Sequence, residues 1–409
     1  MPNTMLFRAA AALSLTAAAV IPSKDGIGAQ QPARYPVGEA CIYHARQGPS
    51  DPAAAKAAPV ALKDVFKHAF LIGTAVNTDQ IYGKDPGAVA IIKRQFAVVS
   101  PEDVLKWECV HPGPGQYEFA NADAYVDFAA RNGLAAIGHT LVWHSQVPRW
   151  VFTDSAGQPL GRDALLARMK GHIDTVVGRY KGRIKGWDVV NEALSEDGTL
   201  RDSPWKRGIG EDYIVKAFQF AHAADPKAEL YYNDYNIENA AKRDGVIRLV
   251  RQLKAAGVPI AAVGAQEHVK MDWPTTAQLD SMFRLISAEG VHVNVTELDV
   301  DVLPRAVRGT SADVSQRAAL QAAQNPYTAG LPDSVQQALA ARYAALFRVY
   351  VTHQDVIDRV TLWGVRDGDS WLNMFPVRGR TNYPLLFDRA GRPKPAFDAV
   401  VREARATTP

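Results

Sequence analysis

Several common features are missing from this chain, and each absence excludes something. Only two cysteines, Cys41 and Cys109, occur among 409 residues. They could pair with one another, but two separated cysteines are neither a disulfide framework nor a metal-ligand cluster. No run is long enough to span a bilayer: the charge-free stretch "AAAALSLTAAAVI", Ala9 to Ile21, falls short of the ~20 apolar residues that a transmembrane helix needs. Charge of one sign is lacking too. Lys and Arg number 46 against 43 Asp and Glu, a net charge of +3, and no basic block occurs. Nucleic acid is therefore not the expected partner. Nor does a glycine-rich phosphate turn follow the first strand-like run, where "GTAVNTDQ" stands instead, which argues against an open nucleotide-binding sheet.

What is present divides the chain into three parts. Arg8, the short apolar run behind it and the small-residue region "GIGAQ" read as a secretory signal peptide over residues 1–30. The mature chain is then expected to be secreted or periplasmic, with no membrane association after cleavage. Residues 31–60, rich in Pro and Ala ("GPSDPAAAKAAPV"), read as a leader without a core. Residues 61–405 read as one folded domain, in a chain of ordinary globular composition, 47% hydrophobic and 22% charged.

Within that domain, eight short runs rich in β-branched and apolar residues recur. They are "AFLIGTAV" from Ala69, "FAVVS" from Phe96, "LAAIGHT" from Leu134, "IKGWDVV" from Ile184, "AELYYN" from Ala228, "PIAAVGAQ" from Pro259, "VHVNVTE" from Val291 and "RVTLWG" from Arg359. Segments of helical spacing lie between them, such as those ending at Gly133, Tyr180 and Gly257, and the two glycines stand where helix C-caps belong. Near-continuous apolar strands alternating with helices imply a parallel sheet covered on both faces. Eight is the number that closes an α/β barrel, so the expected fold is a (β/α)8 TIM barrel.

Barrel sites form at the C-terminal ends of the strands, and polar residues gather there in seven consecutive runs. The second run leads into Glu102, Asp103 and Lys106, and the third into His139, Trp143, His144 and Gln146. The fourth ends on Asn191 and Glu192, and the fifth on Asn233, Asp234, Tyr235 and Asn236. The sixth delivers Gln266, Glu267 and His268, the seventh Glu297 and Asp299, and the eighth Trp363, Asp367 and Trp371. Singly, such residues are caps, solvated groups or core. Together on one rim they describe a site with flat apolar faces for sugar rings and many hydrogen-bonding groups for hydroxyls. Two glutamates from the fourth and seventh strands, facing each other across the mouth, are the constellation of a glycosidase.

The stretches "LKWE", "GHTLVWHSQVP", "WDVVNEAL", "YYNDYN", "VTELDV" and "WGVRDGDSW" occur in that order. Together they resemble glycoside hydrolase family 10, the endo-β-1,4-xylanases, from about Lys63 to Val400. The resemblance implies a retaining enzyme cleaving internal bonds of xylan and xylo-oligosaccharides through a covalent glycosyl-enzyme. Glu192 would be its general acid/base and Glu297 its nucleophile. Asn191 would bond the sugar 2-hydroxyl, His268 would bond Glu297, and Asp299 would hold the imidazole. Glu102, Asp103, Lys106, His139, Trp143, Gln146 and Gln266 would grip the glycone sugars, with Trp363 and Trp371 walling the pocket and Tyr235 and Asn236 toward the leaving group. No cofactor or metal is expected, since two carboxylates complete the reaction, and a monomer is expected.

Two positions depart from the family pattern. Asp103 stands where Asn is common, and Glu267 where a small residue is usual. A stretch from Leu303 to about Ala341 is expected to be a long excursion bordering the cleft. The rival readings are a related glucan-cleaving glycosidase, a non-catalytic sugar-binding barrel and a metal-dependent hydrolase using His139, His144, His268 and Asp367. The last would want a His-x-His pair after the first strand, and "TAVNTD" offers none.

Overall fold

The computed structural model describes residues 60–304 and 322–406. The expected signal peptide, the leader but for its last residue, Cys41 and with it the Cys41–Cys109 pairing lie outside the described residues, as does 305–321 of the excursion.

Nine strands form the sheet: β1 (Leu71–Val76), β2 (Val98–Pro101), β3 (Ala135–Val142), β4 (Gly186–Asn191), β5 (Glu229–Asp234), β6 (Ala262–Ala265), β7 (His268–Lys270), β8 (His292–Asp301) and β9 (Arg359–Leu362). Every pairing is parallel, from β1–β2 around to β6–β8, β8–β9 and β9–β1, which closes the ring. Eight staves make this barrel, as the sequence pattern implies. The ninth segment, β7, continues the sixth stave: it resumes two residues after β6 and pairs with the far end of β8. Gln266 and Glu267 occupy the break.

The apolar runs are nearly continuous because the barrel buries both faces of each strand. All six residues of β4 are buried, as are nine of the ten in β8. Helices pack outside, among them Ala120–Arg131, Arg162–Arg179 and Ala240–Ala255. Gly133 and Gly257 follow the first and third of these with φ of 65° and 68°, the left-handed C-cap geometry that glycine adopts without a Cβ clash. Among the described residues no helix is long and apolar enough to cross a membrane.

Register is regular at the strand bases and shifts near their C-terminal ends. Irregularities fall between His139 and Val142, between Asp188 and Val190, and between Val295 and Leu298. Such shifts re-aim side chains next to a site. Backbone strain gathers at the same end. Gln146, Glu192, Asn236 and Glu267, after β3, β4, β5 and β6, are the four described non-glycine residues with left-handed φ, at 47°, 56°, 54° and 60°.

The excursion after β8 is shorter than expected. Residues from Asp333 onward belong to the helix Asp333–Thr352, whose N-cap is Pro332. Before it, Asn325 accepts from the Thr381 backbone N–H at 2.8 Å, and Tyr383 donates its hydroxyl to the Tyr327 carbonyl at 2.6 Å. This part of the excursion braces the segment that follows Trp371.

Candidate active site

Glu192 stands one residue past β4 and Glu297 lies within β8; both are buried, 4% and 6% exposed. Asn233, near the end of β5, donates through Nδ2 to Glu297 Oε1 at 2.8 Å and to Asn191 Oδ1 at 2.9 Å. Asn191 Nδ2 in turn lies 3.3 Å from Glu192 Oε1, which also accepts from Gln266 Nε2 at 3.0 Å. One amide chain thus links the two carboxyls. The indole of Trp143 donates to the other oxygen of Glu192 at 2.9 Å.

The space around Asn233 is tight. A Cβ on Gly264, in neighbouring β6, would come within 2.3 Å of Asn233 Oδ1. The Thr296 hydroxyl donates to that same oxygen at 2.6 Å, which turns the amide NH2 toward Glu297.

On the far side of Glu297, His268 Nε2 lies 3.1 Å from Oε2, and His268 Nδ1 lies 3.1 Å from Asp299 Oδ1. Trp371 donates its indole N–H to the second Asp299 oxygen at 2.7 Å, with its ring 4.8 Å from the imidazole. His268 is thereby held between two carboxylates.

These surroundings push the glutamates apart. Burial raises the Glu192 carboxyl to about 7, helped by the charges of Asp234 and Glu297 and opposed by the Gln266 and Trp143 hydrogen bonds. Burial would raise Glu297 as well. The His268 hydrogen bond outweighs it, together with the His139 and His268 charges and the Asn233 amide, and Glu297 ends below the ordinary carboxylate value. Burial works against the His268 imidazolium, but Asp299 and then Glu297 overcome it and raise it to about 10. Below about pH 7 one buried carboxyl keeps its proton while the other is already ionised, the division of an acid and a nucleophile.

A pH profile follows from these directions. Activity should require Glu297 ionised and Glu192 protonated, so kcat/KM should rise with pH in the acid range and fall again near pH 7. Initial rates on a xylo-oligosaccharide at limiting concentration would check this. A descending limb near 10, where His268 titrates, would contradict the assignment.

Lys106, 8% exposed, donates to Gln146 Oε1 at 2.7 Å and to Asp103 Oδ1 at 2.9 Å, and lies 5.2 Å above the Trp143 ring. Gln146 Nε2 reaches Glu108 at 3.1 Å. Asp103, a departure from the family pattern, therefore engages the lysine directly. Glu102 borders this group, its carboxyl pushed well up by burial, Asp103 and Asp369. His139 binds Asp188 at 2.9 Å and meets the edge of Trp363 at 5.4 Å.

Toward the other end, Asn236 contacts Glu196 at 3.2 Å. Tyr235 lies inward. It is buried, with Lys242 3.6 Å over its ring and Arg201 donating to its hydroxyl at 2.7 Å. Glu267, the second departure, is 3% exposed and sits beside Glu238, Arg342 and His268. Burial and Glu238 push its carboxyl well up. Asp367 is also buried, held by Lys394 at 3.0 Å and the Leu385 N–H at 2.9 Å. Of the four groups of the metal-hydrolase reading, His139, His268 and Asp367 are each engaged by a separate carboxylate or lysine partner. Among the described residues no three His, Cys, Asp or Glu side chains are grouped to hold a metal ion.

Three residues carry more of the site than their motifs suggest. Asn233 links the two glutamates, Asp188 holds His139, and Glu108 anchors Gln146. A polar residue inside an otherwise apolar strand is the available signal, and it marks Asp188 and Asn233 but not Glu108.

Comparison with known proteins agrees with this geometry. The family model of glycosyl hydrolase family 10 matches residues 61–403. An endo-1,4-beta-xylanase A of Xylanibacter ruminicola is 46% identical over 83% of this chain and 92% of its own length. A beta-1,4-xylanase of Dictyoglomus thermophilum is 40% identical over 83% and 90%. Among solved structures, an endoxylanase of the same family retrieved from a sugarcane soil metagenome superposes with a TM-score of 0.82. It is 45% identical, and the match covers 84% of this chain and 99% of that one. The chain belongs to glycosyl hydrolase family 10.

Proposed function

We propose that the protein is a retaining endo-β-1,4-xylanase in which Glu297 is the nucleophile and Glu192 the general acid/base. The opposite protonation of two carboxyls within one hydrogen-bond network carries this reading. In the first half-reaction a Glu297 oxygen bonds to the anomeric carbon, the glycosidic C–O bond breaks, and the Glu192 proton passes to the departing oxygen. Glu297 then has no charge, so Glu192 is less discouraged from ionising. In the second half-reaction Glu192 takes a proton from water, the water oxygen bonds to the anomeric carbon, and Glu297 leaves as a carboxylate. Both carboxyls are restored and the configuration is retained, which requires a separation of about 5–5.5 Å. The short amide bridge through Asn233 and Asn191 supports that proximity.

Lys106, Asp103, Gln146, His139 and Gln266 are read as the glycone grip, Trp363 and Trp371 as its walls, and Asn191 as the 2-hydroxyl contact. Asn236 is read on the leaving-group side, with Tyr235 supporting it from below. The charge-free N-terminal run supports export of the chain. A reducing-sugar assay on xylan, carboxymethyl-cellulose and mannan, with products identified, tests the substrate. Short xylo-oligosaccharides from xylan, first released as the β-anomer, are expected. Release of single xylose units only, or preference for cellulose, would overturn it.

A further inference from the structure

The turn that carries Glu192 has its own foundation, which takes no direct part in the bond-making and bond-breaking described above. Glu192 is left-handed at φ 56°, so something must hold the backbone there. Arg201 Nε donates to the Glu192 carbonyl at 3.1 Å. The Tyr232 hydroxyl lies 3.2 Å from the Ala193 N–H and donates to Asp234 Oδ2 at 2.5 Å. That oxygen also accepts from the Leu194 N–H at 3.4 Å. The other, Oδ1, accepts from the Tyr235 N–H at 2.9 Å and pairs with Lys242 Nζ at 2.9 Å. Three hydrogen bonds and one ion pair converge on two oxygens, an arrangement suited to a carboxylate. Asp234 and Lys242 are both 0% exposed, an ion pair wholly out of water behind the acid.

We propose that Asp234 and Lys242 are a positioning pair for Glu192: Asp234 fixes the Glu192–Leu194 turn and sets a negative charge behind its carboxyl, and Lys242 limits that charge. The inference rests on Glu192 being the general acid. Other charged groups face this region. Glu297 adds negative charge from β8 and Arg201 positive charge from the loop after β4; Glu196 lies 3.6 Å from Lys242, and Glu238 and Tyr213 border Asp234. Of the charges acting on Glu192, that of Asp234 is the largest. A buried charge loses little to salt screening, so its effect should persist at high ionic strength.

Two variants move the acid in opposite directions. Asp234→Asn removes the negative charge at nearly constant shape, so Glu192 should ionise more readily. The descending limb of kcat/KM on xylotetraose should move down by about one pH unit, a roughly tenfold further loss between about pH 6 and pH 8. Lys242→Met keeps an unbranched side chain over Tyr235 and leaves Asp234 unopposed, so the limb should move up. With dinitrophenyl xylobioside, whose leaving group needs no proton, neither limb of bond cleavage should move. A purely structural role would instead depress both substrates at every pH, and that outcome overturns the proposal. So does an unmoved limb in either folded variant. Should Asp234→Asn fail to fold, Lys242→Met alone decides. Glu192→Ala, assayed on the same two substrates, separates the failures: equal loss on both rejects Glu192 as the acid, whereas selective loss with unmoved limbs rejects only the Asp234–Lys242 pair.

Discussion

Replacing Glu297 with Ala should abolish turnover on every β-xyloside, whatever its leaving group. Its carboxylate is held below the ordinary carboxylate value beside the acid, with a His268 imidazolium and the Asn233 amide aimed at it. The glycosyl bond is assigned to Glu297 alone, so a reactive aglycone offers no escape. The loss in kcat should be on the order of 10⁵–10⁶-fold, the scale seen when an enzyme loses its nucleophile. Steady-state rates on xylan and dinitrophenyl xylobioside would measure it, with circular dichroism to confirm folding. Retention of more than a few per cent on either substrate would contradict the role.

Glu192→Ala should behave differently. On xylan the leaving oxygen is a poor leaving group and needs a proton, so rates should fall by roughly 10²–10⁴-fold. On dinitrophenyl xylobioside the first step needs no acid and should survive, seen as a burst of dinitrophenol. The second step has lost its base, so steady turnover should be slow after the burst. Added azide, which needs no base, should restore turnover and release a β-azide. Loss of the burst along with xylan activity would place Glu192 in binding or folding instead.

The barrel was legible because its strands obey one physical rule. Each is buried on both faces, so each appears as an apolar run, and the chain turns polar where it emerges at the rim. The helices were legible from their period and from Gly133 and Gly257. Glu192 and Glu297 stood out because they close two of seven apolar runs that all turn polar on one rim, where a barrel places its site. Other features had no such signature. The register shifts in β3, β4 and β8 break the alternation that would assign side chains to faces. The split of the sixth stave at Gln266 and Glu267 coincides with the left-handed φ of Glu267, which no residue pattern marks. Tyr235 reads like a rim platform in "YYNDYN", yet Lys242 from the following helix and Arg201 from the loop after β4 hold it inward. The helix Asp333–Thr352 begins behind Pro332 with no side-chain cap, so the strongest local signal for where the excursion ends is missing.

Trapping the intermediate tests the central claim most directly. With dinitrophenyl 2-deoxy-2-fluoro-β-xylobioside, the fluorine slows both chemical steps while the leaving group rescues the first, so the glycosyl-enzyme should accumulate. Mass spectrometry should find one fluoro-xylobiosyl group per chain, on the peptide containing Glu297. An adduct on Glu192, or inactivation-free turnover with no adduct, would contradict the division of roles between the two glutamates.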